Sequence, residues 1–408
     1  MLKDQQLHDF AGEPESSRRY FGWRVVGTLF VIAILAWGFG FYGHAVYLAE
    51  LQRLHGWPTW LISAASTLYY LSSAVLVIFV NDGIKRYGSR RCIIFGAICF
   101  AVAIAVLANI SEPWHLFAAY LVMAFAWATM TVGAITNILG HWFDRRRGLS
   151  ISLALNGASF GGVIVIPAMV FAISSYGFAA TMLAGSIAII VLILPLAIFV
   201  LGKPAPIREA ALLPAGETAR EWTRASALKS PSFWVVSAPF SIGLFSQAAF
   251  LVHQIAFLES SMGRANAGIA VAVMTAASIC GRLTMGAFVD RLNLRLFSAI
   301  SLVSQAAALV AMTQTSSAWP LFLSCAIYGL SVGNLITLPA IIVQREFPAA
   351  AFGMIVALST AITQFTYAFG PGVIGIVRDA SVSYTPAIVL CVALNLIAAA
   401  IVLLRPKA

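Results

Sequence analysis

The stretch Asn266–Asp290, NAGIAVAVMTAASICGRLTMGAFVD, decides how this chain is read. It is apolar or small-residue almost throughout, and as a helix rising 1.5 Å per residue it is long enough to cross a bilayer. Arg282 interrupts it. Counted along that helix, Arg282 lies about 24 Å from Asn266 and about 10 Å from Val289, inside the hydrocarbon and nearer the second end. No other Lys, Arg, Asp or Glu stands so far inside a long apolar segment of the sequence. A charge at membrane depth is costly, so such a residue is a functional-site candidate by default.

Working outward, the same texture repeats. The chain has 408 residues, 61% of them hydrophobic and only 10% charged, a balance of membrane and not soluble proteins. Twelve segments near the length a spanning helix needs fall at 23–49, 60–81, 91–109, 114–140, 147–175, 178–201, 233–259, 266–289, 295–314, 319–344, 350–378 and 382–404. None shows the ten-residue alternating polarity of a membrane barrel strand. The expectation is an all-α membrane protein. Residues 1–20 are polar without an apolar stretch, so no cleavable signal is expected and the first span directs insertion. The five cysteines, Cys92, Cys99, Cys280, Cys325 and Cys391, have neither metal-ligand nor disulfide spacing and read as small hydrophobes. No cofactor or metal is called for, and no enzymatic motif such as H-E-x-x-H appears.

Charge sets the orientation. With both termini cytoplasmic, 21 of the 25 Lys and Arg fall on the inner side, leaving Arg53, Arg264 and Arg378 outside and Arg282 within the bilayer. That satisfies the positive-inside rule. The formal net charge of +10 therefore has a topological origin, and nucleic acid is not an expected partner. The expected location is the cell (inner) membrane.

The longest interior break, 202–232, contains Pro204, Pro206, Pro214 and several charges, and it divides the spans six and six. The organisation expected is an N-terminal tail over 1–22, a six-helix bundle over 23–201, a cytoplasmic linker over 202–232, a second six-helix bundle over 233–404 and a tail over 405–408. DGIKRYGSRR (82–91) follows the second span and GAFVDRLNLR (286–295) the eighth, with Arg86 and Arg291 205 residues apart. Parallel repeats of this kind mark transporters whose substrate site lies between two bundles.

With these segments in view, the chain resembles the major facilitator superfamily. The second loop keeps the family pattern as Gly286, Asp290, Arg291 and Arg295. The first keeps Arg86, Tyr87, Gly88, Arg90 and Arg91 but has Lys85 at the usual aspartate position and Asn81 at the usual glycine. In the family these loops clamp helix ends in one conformation, so the departure bears on the charge pair that regulates rocking. HWFDRRRGLSISLALNGASFGG (141–162), together with FGWRVV (21–26), is similar to the monocarboxylate porter and oxalate/formate antiporter group. The glycine-proline pair of drug/proton antiporters is absent, since Val163 follows Gly162.

The resemblance implies that an arginine in span eight binds the substrate carboxylate, and Arg282 stands at that place. The chemistry agrees, because a guanidinium stays charged and presents a fork matched to two carboxylate oxygens. The bland alternative is an arginine snorkelling to the interface or capping carbonyls. Ser278 lies one helical turn earlier on the same face. Oxalate carriers of the group place a lysine in span eleven for a second carboxylate; here 353–378 has no lysine, and Ser359 is near that place. The span-one lysine of animal members is also missing, with Phe41 or Tyr42 in that region. One cation matches one carboxylate.

Further candidates for a substrate pocket are Tyr42, Trp127, Tyr328, Gln364 and Tyr367, each of which could equally serve helix packing. His44 and His253, 209 residues apart, are candidates for proton coupling, with a structural hydrogen-bonded role as the alternative. Gly370, Pro371 and Gly372 predict a kink in span eleven. The function expected is a secondary carrier of a small organic monocarboxylate, working as a monomer by alternating access with a proton or counter-anion. The alternatives are an exporter of amphipathic compounds in which Arg282 is structural, and a non-transporting membrane sensor.

Overall fold

The computed structural model describes residues 15–17, 19–203, 222–288, 293–348 and 351–404. Among these there is no strand. Eleven helices are long and apolar enough to cross a membrane, starting with Gly22–His55 and ending with Thr385–Leu403. The remaining expected span, the eleventh, is present as two helices, Phe352–Ala368 and Gly370–Ser381, which meet at Phe369. Its interruption falls where Gly370, Pro371 and Gly372 predict it, because proline has no amide to donate and its ring crowds the preceding turn. The chain is a multi-pass helical membrane protein.

The largest boundary difference is in span one. Expected to end at 49, it continues to His55, where Gly56 in a left-handed conformation (φ 67°) stops it. Glu50 is therefore part of the helix and is buried. Two short π-helical turns, Gly38–Tyr42 in span one and Gly161–Val165 in span five, widen otherwise regular helices; such bulges are frequent at functional sites. Span four is interrupted at Thr131, which is extended.

The chain forms two compact units. Of the described residues, the first comprises 15–17, 19–41, 75–161 and 172–203, and its helices approach closely through small residues. An added Cβ at Gly161 would meet the carbonyl of Ile34 at 2.6 Å and the amide nitrogen of Gly38 at 2.7 Å. Of the two segments quoted for the subgroup resemblance, 21–26 packs on the start of 141–162 here. Tyr20 is edge-on to Phe143 at 5.3 Å and donates its hydroxyl to the Trp142 carbonyl. Phe21 lies 5.4 Å from Trp142 and Trp23 4.9 Å from Phe143. The Glu15 carboxylate accepts from the amides of Asp144 (2.8 Å) and Arg146 (2.9 Å), just ahead of the span-five helix, where free amides and the helix dipole favour a negative charge. Of the first loop pattern, Gly88 holds a φ of 82° between spans two and three, while Arg86 and Arg90 are exposed.

Of the described residues, the second unit comprises 42–74, 162–171, 222–288, 293–348 and 351–404. Spans seven and eight turn on a single residue, Gly263, with a φ of 78° that side chains with a Cβ rarely adopt. Apolar packing around Phe240, Leu302, Leu335, Leu338, Ile355 and Val402 fills the interior. Gly286 belongs to the last turns of span eight, Arg264–Phe288; Asp290 and Arg291 lie outside the described residues.

Arg295 ties three helix ends of this unit together. It forms a bidentate pair with Glu346 (2.7 and 2.6 Å) and donates to the carbonyls of Val402 and Leu404, both at 2.9 Å. Glu346 is partly exposed and can rehydrate, so the principal loss on substitution comes from the carbonyls and the fork. Arg295→Met is expected to cost about 2 kcal/mol, read as a lower unfolding temperature in scanning fluorimetry of the detergent-solubilised protein.

Candidate functional site

The site is built where spans eight and ten of the second unit touch. An added Cβ on Gly333 of span ten would lie 2.9 Å from Nε and 3.0 Å from Nη2 of Arg282. The guanidinium thus lies on bare backbone, in space that any side chain at 333 would take. Gly281, beside Arg282, and Gly329 have no room for a Cβ either, since the carbonyls of Leu330 and Met274 occupy those positions. Three glycines therefore set how close the arginine-bearing helix comes to its neighbour.

Arg282 is only partly exposed, and its Nε is buried without a hydrogen-bond acceptor. No carboxylate pairs with it among the described residues. The group within electrostatic reach is the hydroxyl of Tyr42, at the end of the span-one π-turn. An arginine inside an apolar span, uncompensated by an internal anion, leaves a positive field that an external anion can satisfy.

The remaining candidates are distributed as follows. Ser278 is buried and turns its hydroxyl back to the carbonyl of Thr275 at 2.7 Å. Tyr328 is fully buried inside the unit, with its ring 4.8 Å from Phe250 and Cys325 and Cys391 nearby. Tyr367 stands edge-on to Tyr70 at 5.5 Å, and Gln364 is half-buried one turn before it. Trp127 belongs to the first unit, between Trp37 (5.0 Å) and Phe41 (5.9 Å, stacked). The fold places Arg282 within electrostatic reach of Tyr42, whereas Tyr328 is enclosed within the second unit.

Both histidines are buried and bonded. Nδ1 of His44 is 3.2 Å from the Ser66 hydroxyl, and its ring lies 4.6 Å from Tyr69 and 5.6 Å from Tyr70. His253 joins four parts of the unit. Its Nε2 lies 3.0 Å from the Pro371 carbonyl and 3.2 Å from the Ser63 hydroxyl, and its Nδ1 lies 3.4 Å from the Tyr384 hydroxyl. A proton on Nε2 suits the carbonyl, which can only accept. Where a second cation would stand in span eleven, Ser359 instead donates to Ser237 at 3.0 Å, and Thr363 pairs with Ser241 at 2.9 Å. That helix contact is filled by hydroxyls.

Two residues of consequence were missed by sequence reading. Glu50 was left beyond the end of span one, although Gly56 is an ordinary helix-stop signal and Glu50 with Arg53 has helical spacing. Arg264 was counted only as a loop charge.

Membrane-crossing helices with a cation set inside span eight are features found in membrane transporters. The Major Facilitator Superfamily model matches residues 28–263, more than half of the chain, and the chain belongs to that superfamily. Monocarboxylate transporter 11 of Mus musculus is 25% identical over 93% of this chain and 86% of its own length. MFS-type transporter 1 of Ophiocordyceps sp. (strain BCC 1869) is 23% identical over 69% of this chain, which spans 63% of that protein. Among solved structures, the nucleoside transporter NupG superposes with a TM-score of 0.75 at 13% identity, covering 93% of this chain and 98% of its own. A bacterial homolog to the human lysosomal transporter Spinster gives 0.72 at 15% identity, covering 95% and 97%. At such identities these structures speak for the fold.

Proposed function

We propose that the protein is a secondary carrier of a small organic monocarboxylate, in which Arg282 holds the carboxylate and Tyr42 assists it. The observation that carries this reading is a guanidinium inside a membrane span that pairs with no carboxylate among the described residues. Its fork fits two carboxylate oxygens, and a neighbouring phenol supplies a further donor. The hydroxyl pair at Ser237 and Ser359 favours one carboxylate over two, because no second cation stands there. Similarity to monocarboxylate transporter 11 supports the same substrate class.

Transport then follows alternating access between two six-helix halves, with both termini cytoplasmic, a reading that the distribution of Lys and Arg supports. The coupling ion is a proton or a counter-anion. The test is uptake of a panel of labelled monocarboxylates into proteoliposomes with and without an imposed pH gradient. Saturable uptake of at least one acid is expected. Accumulation driven by the gradient indicates proton symport, and acceleration by acid on the opposite side indicates exchange. Saturable transport of uncharged or cationic amphipathic compounds with no carboxylate uptake would instead make the protein an exporter with a structural Arg282.

A further inference from the structure

Glu50 is 2% exposed although it carries a carboxylate and lies near a helix end. Its Oε2 accepts from Nη2 of Arg53 at 2.7 Å. Arg53 is on the same helix, so that bond joins nothing across the fold. Its Oε1 accepts from Nη2 of Arg264, the first residue of span eight. This second bond links spans one and eight, 214 residues apart in sequence.

The surroundings show that the pair belongs to a larger contact within the second unit. The amide of Trp60, which opens span two, donates to Asp379 at 2.7 Å, and Asp379 is also paired with Arg378 at 2.9 Å. Deeper in, the amide of Gly372 donates to Thr67 at 3.1 Å, and His253 bridges Ser63 and Pro371. A cavity of about 560 Å³ opens beside these groups, lined by Gln52, Arg53, Trp57, Glu259, Arg378 and Asp379. Its two acidic and two basic side chains balance, so it offers no net attraction for a charged ligand; it brings water up to Arg53, while Glu50 stays covered.

We propose that the Glu50–Arg264 pair is a latch that keeps spans one and eight together at this end, and that the two charges separate when this end opens. The inference rests on the alternating-access reading above but not on the identity of the substrate. A partly buried ion pair is held more strongly than a hydrated one. Opening hydrates both partners, which lowers the cost of parting them and makes the latch reversible. Neutralising Glu50 leaves Arg264 without its partner, and neutralising Arg264 leaves the covered Glu50 with only the same-helix Arg53, so either change removes the link between the spans and favours the open arrangement.

Hydrogen–deuterium exchange of the full-length protein in nanodiscs tests this. In Glu50→Gln and in Arg264→Gln, amides over 44–57 and 263–270 are expected to exchange roughly tenfold faster than in the parent protein, the change that about 1.4 kcal/mol produces. Amides over 294–313 serve as the internal control and keep their rates. Glu50→Arg combined with Arg264→Glu restores slow exchange, and if that double variant does not fold, Arg264→Lys provides the rescue. Unchanged exchange in both neutralised variants overturns the latch. So does a folded charge-swapped or Arg264→Lys protein that exchanges as fast as they do. Exchange is read without any acid present, so failure of the substrate assignment and failure of the latch give separate results.

Discussion

Arg282→Lys is expected to lower kcat/KM for monocarboxylate uptake roughly a hundredfold, equivalent to about 2.7 kcal/mol. Lysine keeps the charge but replaces the fork with a single ammonium on a flexible stem, so it cannot hold both carboxylate oxygens in one orientation. The geometry adds a second reason. The Arg282 Nε and Nη2 occupy the space that a side chain at Gly333 would take, and lysine has no atoms that reproduce that pair of nitrogens. Arg282→Ala is expected to lose more, roughly a thousandfold, because no positive charge is left in the span. Initial uptake rates at equal amounts of reconstituted protein read both effects. The unfolding temperature of each variant separates lost binding from lost fold.

Gly281→Ala and Gly329→Ala are expected to damage the fold itself. At each position the atom standing where a Cβ would go is a backbone carbonyl of the facing helix, Leu330 for Gly281 and Met274 for Gly329. A side chain can rotate away from a new methyl group, whereas a helix carbonyl can move only if the helices separate. Each substitution is expected to cost about 3 kcal/mol, at the upper end of ordinary overpacking. Since Gly281 precedes the proposed anchor, helix separation also moves the guanidinium off Gly333. The measurement is the monodisperse yield and unfolding temperature of each variant. Gly27→Ala is the matched control, since nothing lies within 4 Å of that position, and it is expected to behave as the parent.

The helical membrane fold was legible in the sequence because each crossing needs its own run of apolar residues, and those runs are separated by turn residues. The kink at 370–372 was legible for a local reason, the chemistry of proline between two glycines. Arg282 was legible because a single charge stands out against apolar neighbours. Its seat was not, because Gly333 is 51 residues away and glycine carries no signal of what it faces. Tyr328 illustrates the opposite problem. Its position deep in span ten suggests a pocket residue, but which side of a helix faces the interior depends on packing by Phe250 and its neighbours. Glu50 was missed because a charged residue near the end of an apolar run reads as a boundary, and its burial depends on Arg264 arriving from span eight as a second partner beside Arg53. The packing of 21–26 on the start of 141–162 was also beyond sequence reading, which identified both segments without placing them together.

The central claim is that one guanidinium recognises one carboxylate, and competition for uptake tests it most directly. Proteoliposomes would be offered, from outside, a labelled monocarboxylate that the carrier takes up saturably, together with unlabelled acid, its neutral amide of the same shape, or the corresponding dicarboxylate. Strong inhibition by the acid, none by the amide and weak inhibition by the dicarboxylate are the predicted results. Equal inhibition by acid and amide would contradict the account, because recognition would then rest on the apolar body of the substrate and not on its charge.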